Sequence, residues 1–188
     1  PMSESELITS SKYPPIPPRR LPENWSAESW EDIEPWYLEL EEREIESPED
    51  LEKWLLDRSE VDAAVAAVSC RRNVAHVRHT DDAEAEANHL AYQAEVIPNV
   101  RKSGDRLDRK YLESPLRDAL DADRWGVHDR ESVLSARLFR PENVALGVEE
   151  EECIVQYGHL TGSMTVEWEG ETLTLPALAK YSEVEDRS

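Results

Sequence analysis

One stretch, Gln156 to Tyr181, sets the terms for the rest of the chain, because it is the only segment with a clear hydrophobic period of two. Met164, Val166 and Trp168 alternate with Thr165 and Glu167, and after Glu169-Gly170 the alternation resumes with Leu173 and Leu175. That pattern predicts a β-hairpin over about 163–175, with Gly170 supplying the positive φ of a tight turn. Gly162 is expected to end the preceding helix, and Pro176 to open the next one. A lone hairpin is marginal in water, so it is expected to lean on the helices upstream. Elsewhere the apolar residues recur at helical spacing. The expected fold class is mainly α: antiparallel helical hairpins in a bundle, with one C-terminal β-hairpin.

The chain divides into an arm, residues 1–24, and a helical domain, residues 25–188. In the arm, SKYPPIPPRRLP excludes helix, since each proline removes a donor and restricts its predecessor, and it is expected as polyproline II. Ser26 and Ser29 are candidate caps for a first helix carrying Trp30 and Ile33, and Pro35 is expected to open a second one carrying Trp36, Tyr37, Leu40 and Ile45. Ser47-Pro48-Glu49-Asp50 starts the next, with Leu51, Trp54, Leu55, Val61, Val65 and Val68 on one stripe to about Ser69. The short link at Ser47 makes the pair an antiparallel helical hairpin.

Thr80-Asp81-Asp82 starts a third long helix with Ala83, Ala87, Leu90, Ala94 and Ile97 inward. Pro98 should kink or split it, and the period resumes at Val100, Gly104, Leu107 and Tyr111. Ser114-Pro115 opens a short helix, Trp125-Gly126 reads as a turn, and Val127, Glu131, Leu134 and Leu138 share the face of a helix that Pro141 ends. A last long helix is expected from about Val148 to Thr161, with Glu149 to Glu152 at its positive end.

The net charge is −21 over 188 residues, so nucleic acid and anionic lipid are repelled and neither is an expected partner. The acids are read as solvated helix faces opposite arginines at helical spacing; a DNA mimic or a surface adapted to salt are the other readings of such a balance. No apolar segment follows Met2, where Ser3, Glu4, Ser5 and Glu6 stand, and no apolar run has the length of a membrane span, so the expectation is a cytoplasmic chain with no membrane partner. Cys70 and Cys153 have no motif spacing and read as reduced.

His76-x-x-His79 is the one metal-like spacing, with Asp82 or Glu86 as a possible third ligand. Histidines on the surface before a helix cap account for it more simply, and His89, His128 and His159 have no suitable sequence neighbours. There is no G-x-S-x-G elbow, no phosphate-cradling glycine loop and no H-E-x-x-H. The residues themselves assign no catalytic, cofactor-binding or metal site.

Several segments carry a family resemblance. Pro18 to Ala64, PRRLPENWSAESWEDIEPWYLELEEREIESPEDLEKWLLDRSEVDAA, is the longest. Thr80-Asp81-Asp82-Ala83-Glu84, Leu112-Glu113-Ser114-Pro115, Tyr157-Gly158, Gly162 to Glu167, and Leu175-Pro176-x-x-Ala179-Lys180-Tyr181 follow in order. This series resembles the N-terminal region of oligoendopeptidase F-type zinc peptidases, the thimet-oligopeptidase-like family. The resemblance implies a non-catalytic N-terminal domain that forms one wall of a cleft for short peptides. The family's zinc is held downstream, by H-E-x-x-H and a later glutamate, so no ligand is carried over onto any residue here. Zinc is expected in the catalytic domain of the parent, with no cofactor in this chain. Pro1 ahead of Met2 reads as a cloning remnant, which points to an excised fragment. The expected partners are short peptides through the complete enzyme, the absent catalytic domain, and a second copy through surfaces near the hairpin. The alternative reading is a free-standing acidic helical module that binds a protein.

Overall fold

A computed structural model describes residues 20–78 and 81–183; Pro1 to Arg19, with the proline-rich motifs, and His79 and Thr80 lie outside the described residues. The chain is mainly helical, with one two-stranded antiparallel hairpin near its C-terminus, as the periods predict.

Helix α1 spans Trp30–Glu42. Ser29 caps it reciprocally: its Oγ accepts from the Asp32 amide and the Asp32 carboxylate accepts from the Ser29 amide at 3.0 Å. Pro35 does not begin a second helix but lies inside this one. An interior proline costs roughly 3 kcal/mol. Burial of Ile33, Tyr37 and Leu40 on one face offsets it, at roughly 1.5–3 kcal/mol for each apolar side chain.

Helix α2 spans Pro48–Arg78, and Leu51, Trp54, Leu55, Val61, Val65 and Val68 are all buried as the stripe requires. It continues nine residues past Ser69 because its polar end has partners: Arg72 donates to the Glu28 carboxylate at 3.0 Å and to the Asn88 carbonyl at 3.1 Å, and His76 is buried. α1 and α2 run antiparallel. Trp54 Nε1 donates to the Leu40 carbonyl at 2.8 Å at one end of the pair, and Tyr37 donates to Asp62 further along.

Helices α3, Ala83–Glu95, and α4, Ile97–Glu113, are separate; Val96 lies between them and Pro98 occupies the first turn of α4. Asp82 caps α3 by accepting from the Glu84 and Ala85 amides, each at 3.0 Å. The inward face of α3 is not the alanine stripe. His89, Tyr92 and Val96 are buried, whereas Ala83, Ala87 and Ala94 are exposed. Tyr92 covers far more area than an alanine, and its hydroxyl is satisfied at the Ala27 carbonyl, 3.0 Å away. In α4, Leu107 and Tyr111 join the core.

Ser114-Pro115 leads only to a 3₁₀ turn, Arg117–Ala119. Helix α5 spans Ala122–Leu138 and contains Trp125-Gly126, read from sequence as a turn; Asp121 caps it by accepting from the Asp123 amide at 2.9 Å. Its expected inner face points outward: Val127, Leu134 and Leu138 are exposed and Ser132 is buried. The partly buried Trp125 packs on the core, and with Ser132 fixes the helix's rotation.

Helix α6 spans Glu142–Ser163 and starts six residues before the expected Val148. Glu149 to Glu152 therefore sit in its second and third turns, beyond the reach of the helix-terminus field. Gly162 lies inside the helix, and Met164 ends it, its amide bonded to the Thr161 carbonyl at 3.3 Å. Strands β1, Thr165–Trp168, and β2, Glu171–Thr174, pair from Thr165↔Thr174 to Trp168↔Glu171. Glu169 (φ 52°) and Gly170 (φ 83°) close a primed two-residue turn.

Every residue of β1, expected to lean on the upstream helices, is exposed, and in β2 Leu173 is half-buried. The hairpin's company is local: Trp168 packs on Tyr181 with ring centres 5.7 Å apart, beyond the short helix α7, Leu175–Leu178. Thr174, at the end of β2, caps α7, and Pro176 sits in its first turn. The buried core lies among α1–α4 around Trp54, Tyr37, Tyr92 and Tyr111. Among the described residues, no helix is long and apolar enough to cross a membrane.

Candidate functional site

Two places gather polar side chains of the kind that do chemistry. The first is a histidine junction where α2, α3 and α6 meet. His76 is not a surface residue: it is buried in the last turn of α2, its ring parallel to that of His89 with centres 5.4 Å apart. His159 lies on its other side, 6.4 Å away between ring centres. The carboxylates cross between helices. Glu151 of α6 meets His89 Nε2 at 2.8 Å, and Glu86 of α3 meets His159 Nε2 at 2.7 Å.

An ionised carboxylate only accepts, so Nε2 of His89 and of His159 carries the hydrogen that it donates. Nδ1 of His89 and of His76 are buried and without a hydrogen-bond partner. Two reciprocal Glu–His pairs thus fasten α6 to α3, and His76 fills the space between them. His76 is not joined there by Asp82, which caps α3, while its sequence partner His79 lies outside the described residues. Among the described residues, no group of three or more His, Cys, Asp or Glu side chains is arranged to hold a metal ion.

The sequence reading missed this junction because it sought partners within a few residues. A usable signal was there. Glu86-x-x-His89 and Glu151 to His159 each put an acid and a histidine on one helical side, in the same order, which crossed pairing between two helices requires.

The second place is a groove of about 570 Å³ between α2, α4 and α5. Arg58 and Asp108 pair at 2.7 Å on its floor, each side chain 12% exposed. His128 and Ser132 line the wall, with Tyr111 edge-on to the imidazole at 5.1 Å between ring centres. Burial pushes His128 below the usual histidine range, and nearby Arg58 adds to the effect. Ser132 Oγ lies 3.4 Å from His128 Nε2, one turn away on the same helix. That is long for an activating hydrogen bond, and the cation of the groove is already satisfied by Asp108. The groove is a polar recess with a neutral imidazole, not a nucleophile with its base.

Both cysteines are free and exposed. Comparisons of the chain with protein-family models, curated proteins and solved structures gave no match.

Proposed function

We propose that these residues form the non-catalytic N-terminal domain of a longer zinc-dependent oligoendopeptidase of the F type, one wall of a cleft for short peptides. The reading rests on the ordered series of segments from Pro18 to Tyr181. One structural observation supports it above others. The C-terminal third leaves Met164, Val166, Trp168 and Leu175 exposed in one hairpin unit. Isolated apolar side chains on a surface need no explanation, whereas a contiguous set marks a surface with an occupant. In this reading the occupant is the catalytic region of the same polypeptide.

Neither the histidine junction nor the groove fits the zinc of such an enzyme. Nε2 of His89 and of His159 is engaged by a carboxylate, and H-E-x-x-H is absent from the sequence. The metal would be held by residues outside these 188. What this chain contributes is shape and charge: an α1–α4 core that holds its form, and an acidic surface that disfavours acidic peptides.

The test is the reading frame beyond Ser188. The proposal expects it to continue into an H-E-x-x-H helix, with a further glutamate downstream. A frame that closes at Ser188, or continues without that motif, removes the peptidase reading and leaves the acidic protein-binding module.

A further inference from the structure

Helix α6 has two apolar sides. One faces inward, where Val144 and Val155 are buried. The other is formed by Leu146, Cys153, Tyr157 and Leu160, spaced seven, four and three residues apart. At 100° per residue these four lie within one narrow stripe on roughly the opposite side from Val144 and Val155. All four are exposed: Leu146 by 56%, Tyr157 by 68%, Leu160 by 59%, and Cys153 between them. An ordinary surface helix has one apolar stripe, and a second stripe at heptad spacing is the seam that a further helix packs against.

The charge beside the stripe says which helix. Glu142 and Glu149 lie along one edge of it and Glu150 falls within it, between Leu146 and Cys153; none of the three is in an ion pair among the described residues. Among the described residues Arg101 is the cation beside Leu146 and Cys153, its guanidinium lying where a Cβ on Gly147 would be. A second copy of the chain would bring identical acidic margins together under a net charge of −21, and an anionic membrane is repelled for the same reason. Lysines or arginines alongside apolar heptad positions would instead meet those acids, as they do across paired helices.

We propose that the outward stripe of α6 seats a cationic amphipathic helix supplied by the remainder of the same polypeptide. This rests on the reading of the chain as part of a longer peptidase. The seat runs from Leu146 to Leu160, about 21 Å along the helix axis, room for about four turns of the incoming helix.

Cys153 sits in the middle of the seat and reports on it, with exposed Cys70 on α2 as the internal reference. The experiment measures alkylation rates of both thiols in the 188-residue chain, alone and with synthetic three-heptad helices that share a leucine seam and differ in lysine or glutamate flanks. It then repeats the measurement on the polypeptide extended along its natural frame. Cys153 is expected to be slowed at least about tenfold by saturating lysine-flanked helix and in the extended polypeptide, with Cys70 unchanged. Leu160→Lys and Tyr157→Lys, both at exposed positions, should abolish protection by the peptide.

Equal protection by the two peptides, or none by either, overturns the charge argument. An extended polypeptide whose Cys153 reacts as fast as in the short chain overturns the assignment of the occupant, as does a frame that closes at Ser188. A continued frame without H-E-x-x-H that still protects Cys153 overturns only the peptidase reading.

Discussion

Lys110 tests the packing of the helical core more sharply than any apolar truncation. Its ammonium donates to three carbonyls at the C-terminal end of α1, those of Leu40 at 3.0 Å, Glu41 at 2.7 Å and Arg43 at 2.6 Å. The Leu40 carbonyl also receives Trp54 Nε1, and the ammonium lies 5.9 Å from the centre of that ring. α4 thereby caps α1 with a single cation, where the helix-terminus field favours positive charge. Lys110→Met keeps the aliphatic stem and removes all three bonds. Each bond to a charged group contributes about 1.5–3 kcal/mol net. The ammonium is only part-buried, so water replaces part of the loss at the freed carbonyls. The expected cost is therefore about 2–3 kcal/mol rather than the sum. For a chain of this length that corresponds to a fall in Tm of about 4–12 °C. Urea unfolding followed by helical circular dichroism measures it, with Lys102→Met, on the exposed side of α4, as the control. A cost below about 0.5 kcal/mol, or one equal to the control, would refute the capping argument.

Three further outcomes follow from the charges. Burial holds His128 below the ordinary histidine range, so the unfolded chain takes up the proton first. Stability should be full above about pH 6.5 and decline as the pH falls below it, and His128→Gln should flatten that decline; parallel urea curves for the two proteins at pH 7 and pH 5 would sink this. Hydrogen bonds from Arg43 and Arg20 hold the Glu39 carboxyl down at about 2, against some opposition from burial. In Asp57 burial pushes upward, but Arg43 and Lys53 outweigh it and the carboxyl is lowered. Their stabilising contribution is present above about pH 4.3 and lost as the pH falls toward 2, so acid unfolding of Glu39→Gln should be shallower there, read by circular dichroism against pH. Finally, raising sodium chloride from low to molar concentration should raise Tm by screening the net charge of −21, and should promote association through the exposed Val166 and Trp168, seen by sedimentation velocity; a flat Tm would mean the acids are already compensated locally.

The parts of this fold legible in the sequence are those where one strong local signal had no competitor. The stripe from Leu51 to Val68 and the Glu169-Gly170 turn are of that kind: a start signal plus an unbroken period, and a turn whose backbone only a few residues accept. Errors arose where a side chain's tertiary partner outweighed its local preference. Pro35 stays inside α1 because the helix's buried face carries it, and the inward side of α3 is chosen by Tyr92 reaching the Ala27 carbonyl rather than by alanines. Val127, Leu134 and Leu138 follow a clean period that points to solvent, since periodicity locates a stripe without saying what covers it. The histidine junction escapes a search for partners within a few residues because its members come from three helices, with 62 residues separating His89 from Glu151.

Peptide hydrolysis by the two lengths of polypeptide tests the account most directly. The 188-residue chain and the polypeptide extended along its natural frame would each be incubated with zinc and internally quenched short peptides. The account predicts hydrolysis by the extended polypeptide, abolished by a chelator and restored by zinc, and none by the 188-residue chain. Cleavage by the short chain, or an extended polypeptide that binds no zinc and cleaves no peptide, would contradict it.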